Sequence, residues 1–278
     1  MSQTMLAFYR AWIQFLFFIV PDKAAFRVLM LFATPRVRKS RERETDALAK
    51  ARAEDVQIDG KRIRTYTWGN GAPTVLLMHG WEGQSGNMGG VALALVAKGY
   101  TCMAFDAPAH GASEGKRSTL FAYSKAAGEM LARFPQISVV ISHSFGSATA
   151  VYTLARVPHQ VQKLALLSTP DSLPETFEEF YDLLKLKASQ RERVYRFFEA
   201  NFHHKVNELQ VSHDASSIKV PLAVLLHDRS DTQIPFRNAE KVAAAWPQLK
   251  LVPLQDVGHY RMLWNEEVIN RAISELSL

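Results

Sequence analysis

Six short runs of apolar residues, at 74–78, 101–105, 137–141, 163–167, 222–226 and 250–254, constrain this chain more than any other feature. Most are rich in β-branched residues or leucine and lack the alternation of a strand with one wet face, which is how strands buried on both faces of a sheet read. Helical patterns at 91–98, 120–134, 148–156, 237–246 and 265–276 separate most of them. A buried strand, a helix and another buried strand make a parallel crossover, so the series predicts an α/β protein with a mainly parallel central sheet flanked by helices. Ahead of it, 56–58 and 62–67 alternate around Gly60 in the manner of a hairpin. In sheets of this kind sites form beyond the carboxyl ends of the strands, so the residues following each run are where chemistry is expected.

A length of 278 residues suits a single core of this type. The apolar fraction of 47% and the charged fraction of 22% are those of an ordinary folded protein. Cys102, the single cysteine, sits inside an apolar run and reads as a core residue. The net charge of +6 does not imply nucleic acid, because much of it lies at 36–52, where seven basic residues meet three acidic ones. That stretch reads as a solvated, charged linker, with contact to anionic lipid as the alternative.

The first 35 residues are apolar and aromatic but broken by Arg10, Gln14, Pro21 and Arg27. Each half is shorter than a spanning helix needs, and no basic residue precedes Arg10 as a secretory signal would require. Two readings remain. One is a pair of helices packed on the rest of the protein or on a second copy in a homo-oligomer; the other is an interfacial anchor making peripheral membrane contact. Packing is favoured, since apolar residues occupy nearly every face. A cytoplasmic protein, membrane-associated if the anchor reading holds, is the corresponding expectation.

The interval 171–217 has no buried-strand pattern; it reads as helices carrying Phe177, Phe180, Tyr181, Tyr195, Phe197, Phe198 and Phe202, and as a small cap over the site. His203-His204 and His213-Asp214 lie in it but fit no strong ligand spacing, so no metal is expected.

Three motifs follow strands. Ser142-His143-Ser144-Phe145-Gly146 closes one apolar run and opens a helical pattern. A nucleophilic hydroxyl held out on a strand-to-helix turn needs small residues two positions to either side, and Ser144 has them in Ser142 and Gly146. The backbone N–H of Phe145 would then face a developing oxyanion, with the positive end of the helix behind it. His79-Gly80-Trp81 follows another run and offers the second donor, the backbone N–H of Trp81; His79 reads as a structural hydrogen-bonding group. Asp106-Ala107-Pro108-Ala109-His110-Gly111-Ala112-Ser113 follows a third. In this order and spacing the three motifs resemble the α/β-hydrolase superfamily, over roughly 56–278. The chain departs from the pattern at Ser142 and Ala109, where family members often carry glycine.

The resemblance implies an α/β-hydrolase domain at 56–278 with the cap inserted at about 171–217, preceded by a helical extension and linker at 1–55. It makes Asp106 and His110 structural, and it implies the chain order nucleophile, acid, histidine. His259, in the loop after the last run, is the candidate base. Asp231, in Asp228-Arg229-Ser230-Asp231-Thr232-Gln233-Ile234-Pro235, is the candidate acid, with Asp228 bracing the loop and Asp171 as the other position from which the acid can come. The expected activity is serine hydrolysis of a carboxylic ester or related acyl bond in a small-molecule substrate, without metal or organic cofactor. The same residues would serve an amidase or peptidase, and a scaffold that keeps the fold without chemistry is the reading from a different class.

Overall fold

The structure, a computed structural model, describes residues 3–36 and 39–278. Met1, Ser2, Val37 and Arg38 lie outside the described residues, so the readings of the first 35 residues and of the basic stretch are followed on what remains of each.

In chain order, α1 (Gln3–Ile19), α2 (Pro21–Phe32) and α3 (Glu42–Ala49) precede the hairpin β1 (Arg52–Ile58) and β2 (Lys61–Trp68). There follow β3 (Val75–Met78), α4 (Gly89–Ala97), β4 (Cys102–Phe105), α5 (Leu120–Arg133), β5 (Val139–His143), α6 (Phe145–Leu154) and β6 (Lys163–Leu167). Next come α7 (Leu173–Leu184), α8 (Ala188–Phe202) and α9 (Val211–Ala215), then β7 (Leu222–Asp228), α10 (Arg237–Ala245), β8 (Leu249–Leu254) and α11 (Glu266–Glu275). All six apolar runs are strands, and every expected helix is present.

The strands form one eight-stranded sheet in the order β1-β2-β4-β3-β5-β6-β7-β8. Only β1 with β2 and β2 with β4 are antiparallel; β4 through β8 are parallel neighbours in that order. Asp59 and Gly60 turn the hairpin with φ of 54° and 69°, the left-handed pair that an Asp-Gly sequence supplies. Successive strand residues feed two cores. Leu76, Met103, Val140, Leu164 and Leu225 meet Tyr123 and Met130 of α5, Val151 of α6 and Val242 of α10. Leu77, Ala104, Ile141, Ala165 and Val224 meet Leu95 of α4 and Ile269 and Ile273 of α11. With apolar partners on both faces, the central strands have no reason to alternate, which explains the unbroken runs.

The chain divides into two compact units, one running up to Thr34 and including Ser172–Gln210, the other Pro35–Asp171 with Val211–Leu278. The sheet belongs to the second. So does α3, which occupies much of the stretch read as a linker: Ala47 is buried and its carbonyl accepts from the Trp68 indole N–H at 2.7 Å. The buried Glu44 carboxylate accepts from Asn87 Nδ2 at 3.0 Å and from the Arg41 N–H at 3.0 Å. Part of this stretch is therefore a docked helix rather than a solvated tether, with Arg43 on the helix and Arg41 and Lys50 at its two ends.

The first unit combines α1 and α2 with α7 and α8. Ser172 caps α7 by accepting from the Glu175 N–H, and Pro174 stands in its first turn, where a missing N–H costs nothing. The aromatic residues of the insertion are largely used within this unit: Phe177 stacks on Tyr181 and meets Phe198, while Phe32 of α2 meets Phe177 and Phe180 edge-on at 4.6 and 5.3 Å. Arg10 and Gln14, the polar breaks in α1, have partners here. Arg10 Nε donates to Leu183 O at 2.9 Å and Gln14 Nε2 to Lys185 O at 3.2 Å, satisfying carbonyls at the end of α7 that have no intrahelical partner. Burial of α1 is less complete than its composition suggests, for Phe8, Phe15 and Phe18 are 68%, 60% and 87% exposed. Among the described residues no helix is long and apolar enough to cross a membrane.

Candidate active site

Ser144 stands between β5 and α6 with φ of 54° and ψ of −124°, a conformation unfavourable for any residue with a side chain. The surroundings hold it there. Its N–H donates to Leu167 O at 2.8 Å, and its carbonyl accepts from the Ser147 N–H at 2.8 Å. Gly146 is obligatory on this turn, because a Cβ there would lie 2.4 Å from His79 O. At Ser142, where the family often has glycine, the buried hydroxyl donates to Ala165 O on β6 at 3.3 Å, so the extra side chain is accommodated inside the sheet.

The loop after β3 runs against this turn: a Cβ on Gly80 would stand 3.0 Å from Ser144 Cβ. Next in the chain, Trp81 meets the Phe145 ring edge-on at 5.4 Å. Phe145 begins α6, so its N–H belongs to the first turn, where no intrahelical carbonyl is available. His79 carries the loop rather than the chemistry. Its Nε2 accepts from the Ala107 N–H at 3.0 Å, which leaves Nδ1–H to donate to Gly80 O at 2.7 Å. Burial holds this imidazole neutral, with a pKa lowered to about 4. Tyr123 donates its hydroxyl to His79 O at 2.9 Å.

Asp106 and His110 are braces as the resemblance implies. Asp106 Oδ1 accepts from the N–H and hydroxyl of Ser85, each at 2.7 Å, and Oδ2 accepts from the Ala112 N–H at 2.8 Å. Ala109, at the second departure from the pattern, takes φ of 63°, so the turn keeps its left-handed form at some cost in strain.

His259 and Asp231 come together from the loops after β8 and β7, with His259 Nδ1 2.8 Å from Asp231 Oδ2. Both are buried. Burial opposes ionisation of Asp231, but the hydrogen bond and charge of His259, together with the N–H groups of Ile234 and Gln233, outweigh it and lower the carboxyl pKa to about 2. An ionised carboxylate only accepts, so Nδ1 carries the proton of this bond and donates it. Asp228 braces the same loops: Oδ1 accepts from the N–H and hydroxyl of Ser230, each at 3.0 Å, and Oδ2 accepts from the Gly258 N–H. Asp171 is engaged elsewhere, with Oδ1 accepting from the Ser212 N–H at 2.8 Å at the start of α9.

One neighbour escaped the sequence reading. His143 Nε2 donates to His259 O at 2.9 Å, and the two rings lie 4.6 Å apart. Burial lowers the His143 pKa to about 3, so it is a neutral donor that positions the His259 backbone. The contact spans 116 positions, and nothing local to the Ser-His-Ser triplet signals it. No group of His, Cys, Asp or Glu able to hold a metal occurs among the described residues. Asp214 is clasped by Arg156 at 2.7 and 2.9 Å. Burial pushes the Cys102 thiol up to about 12.

A mainly parallel sheet of this order, flanked by helices, defines a class of fold, and the family comparison agrees with it. The chain belongs to the alpha/beta hydrolase fold family, whose model matches residues 73–222. Among curated proteins, the dihydrolipoyllysine-residue acetyltransferase component of the acetoin cleaving system of Cupriavidus necator is 35% identical over 130 residues, or 45% of this chain. The match spans about a third of that relative's length, 33%. Among solved structures, a bacterial membrane phospholipase A superposes with a TM-score of 0.64 at 19% identity, covering 99% of this chain and 97% of its own. An esterase of Pyrococcus furiosus gives 0.61 at 23%, covering 88% and 96%. A thioesterase domain from the curacin biosynthetic pathway gives 0.62 at 20%, covering 82% and 99%. At such identities these structures share the fold with this chain.

Proposed function

We propose that the protein is a serine hydrolase that cleaves a carboxylic ester or related acyl bond through an acyl-enzyme on Ser144. The observation that carries the reading is the hydrogen-bonded pair of Asp231 and His259 in the same unit as a serine held at positive φ on a strand-to-helix turn. In the proposed cycle, His259 Nε2 takes the Ser144 proton as Oγ bonds to the acyl carbon. The N–H groups of Trp81 and Phe145 receive the oxyanion, and loss of one such donor typically costs on the order of 3 kcal/mol of barrier. The bond to the leaving group then breaks and His259 returns the proton to it. Water, deprotonated by the same imidazole, releases the acid and restores the serine. Asp231 stays ionised throughout, fixing the tautomer and stabilising the imidazolium.

Hydrolysis of p-nitrophenyl esters of graded acyl length by the protein and by Ser144→Ala tests this. Turnover that is lost in the variant is expected, with the length preference sizing the acyl site. An inactive protein that instead cleaves amides at Ser144 is an amidase or peptidase of the same mechanism, and one inert to both is a scaffold.

A second element of the proposal concerns the N-terminal helices. The exposed ring faces of Phe8, Phe15 and Phe18 favour peripheral contact with a membrane, an apolar surface with which exposed aromatic side chains are compatible. The alignment with a membrane phospholipase over 99% of this chain supports the same reading.

A further inference from the structure

The docked stretch before β1 does more than tie α3 to the sheet. Arg36, Lys39, Arg41 and Arg43 line a cavity of about 380 Å3 whose walls also include Trp81 and Tyr260. Its volume is that of a small-molecule subsite. Two carboxylates, Glu44 and Glu82, are the acidic side chains in its lining, so four cations face two anions. Both anions are engaged. Arg36 clasps Glu82 through two parallel bonds of 2.7 and 2.9 Å and adds its backbone N–H at 3.1 Å, while Glu44 accepts from Asn87 and the Arg41 N–H. Among the described residues, Lys39, Arg41 and Arg43 take part in no ion pair, although the Arg43 guanidinium rests over the Trp264 ring at 4.8 Å.

His110 is a second feature of this cavity. It is buried and lines the wall, and with Nδ1 3.0 Å from Pro108 O it is Nδ1 that donates. Nε2 is then an acceptor without a hydrogen-bond partner, and it is itself buried, so the charges of the cavity rather than this nitrogen set what it can hold. A cavity with a surplus of two positive charges is complementary to a phosphate monoester, which carries nearly two negative charges at neutral pH. Arginine forks are well matched to phosphate oxygens.

The position of the cavity says which end of a substrate it would hold. Trp81 follows Gly80, which abuts Ser144, and Tyr260 follows His259, its ring 4.8 Å from the imidazole. The leaving group is the part of the substrate that receives the His259 proton. We propose that this cavity binds a phosphate group on the leaving alcohol, so that the preferred substrates are acyl esters of phosphorylated alcohols. This rests on the serine-hydrolase reading above.

The test compares a matched pair, 1-butyrylglycerol and 1-butyrylglycerol 3-phosphate, which share the ester and differ in the phosphate. The expected result is a kcat/KM roughly tenfold or more higher for the phosphate ester, falling towards parity at high salt and in Lys39→Gln/Arg41→Gln. Calorimetric titration with inorganic phosphate is expected to show binding that the double variant loses, and phosphate should compete with the phosphate ester. Parity between the two esters in a protein that cleaves both overturns the inference and leaves the hydrolase reading standing. Binding of inorganic phosphate without ester preference also overturns it, assigning the cavity to a free anion. Cleavage of neither ester overturns the inference, and the graded p-nitrophenyl series decides whether the hydrolase reading falls with it.

Discussion

The hydrogen bond from His259 Nδ1 to Asp231 holds one tautomer, so replacing the carboxylate by an amide changes the chemistry of the imidazole more than the packing around it. Asp231→Asn is expected to reduce kcat by about 10^3- to 10^4-fold with the far-ultraviolet dichroism unchanged. Asp171→Asn, which disturbs only the Ser212 N–H contact, should stay within a few-fold of the parent. Steady-state kinetics on an ester substrate separate the two, and the opposite ranking would move the acid to Asp171. Most of these residues are legible in the sequence because each sits at a strand end in a short motif with small neighbours. Ser144 is marked by Ser142 and Gly146, and Asp231 by the Ile234-Pro235 that follows it. His143 is not legible, since its role depends on a carbonyl brought to it from the far end of the chain.

Among the elements, the buried strands announce themselves by composition, whereas α3 does not. Glu42–Ala49 is short and charged, and its stability comes from Trp68, Asn87 and the α4 surface rather than from any periodicity of its own. The first helix misleads in the other direction. Its sequence is apolar on nearly every face, yet only part of it finds partners, in α2, α7 and α8, and the rings of Phe8, Phe15 and Phe18 remain in solvent. If those rings meet a bilayer, the protein should sediment with liposomes and Phe8→Ser/Phe15→Ser/Phe18→Ser should remain in the supernatant. Equal recovery of both in the supernatant contradicts membrane contact, and a concentration-dependent dimer lost in the variant would assign the face to a second copy.

Taken as a whole, the molecule pairs segments that no local pattern connects. The insertion at Ser172–Gln210 clusters with the N-terminal helices through pairs such as Phe32 with Phe177, and its aromatic content serves that packing. The sheet unit carries a different global property, a set of histidines, His79, His110, His143 and His227, whose burial favours the neutral base. Burial lowers His79 and His110 to about 4 and His143 to about 3. Unfolded histidines take up protons as the pH falls through about 6.5, while the folded ones do not until it is near 4. Their contribution is therefore fully present above about pH 6.5 and declines below it, by an amount on the order of several kcal/mol. Asp231 adds its own loss lower down, as the pH falls from about 4 towards its folded value. Urea midpoints are expected to fall steadily between neutral pH and about pH 4.5. A flat profile over that interval would mean that these imidazoles are solvated in the folded state.

The most direct test of the central claim is intact-mass analysis after treatment with a fluorophosphonate, which reacts with a serine only where a neighbouring base has activated it. The folded protein is expected to gain a single adduct that peptide mapping places on Ser144, with none on Ser144→Ala. A folded protein that stays unmodified, or an adduct mapped to another residue, would contradict the assignment of Ser144 as the nucleophile.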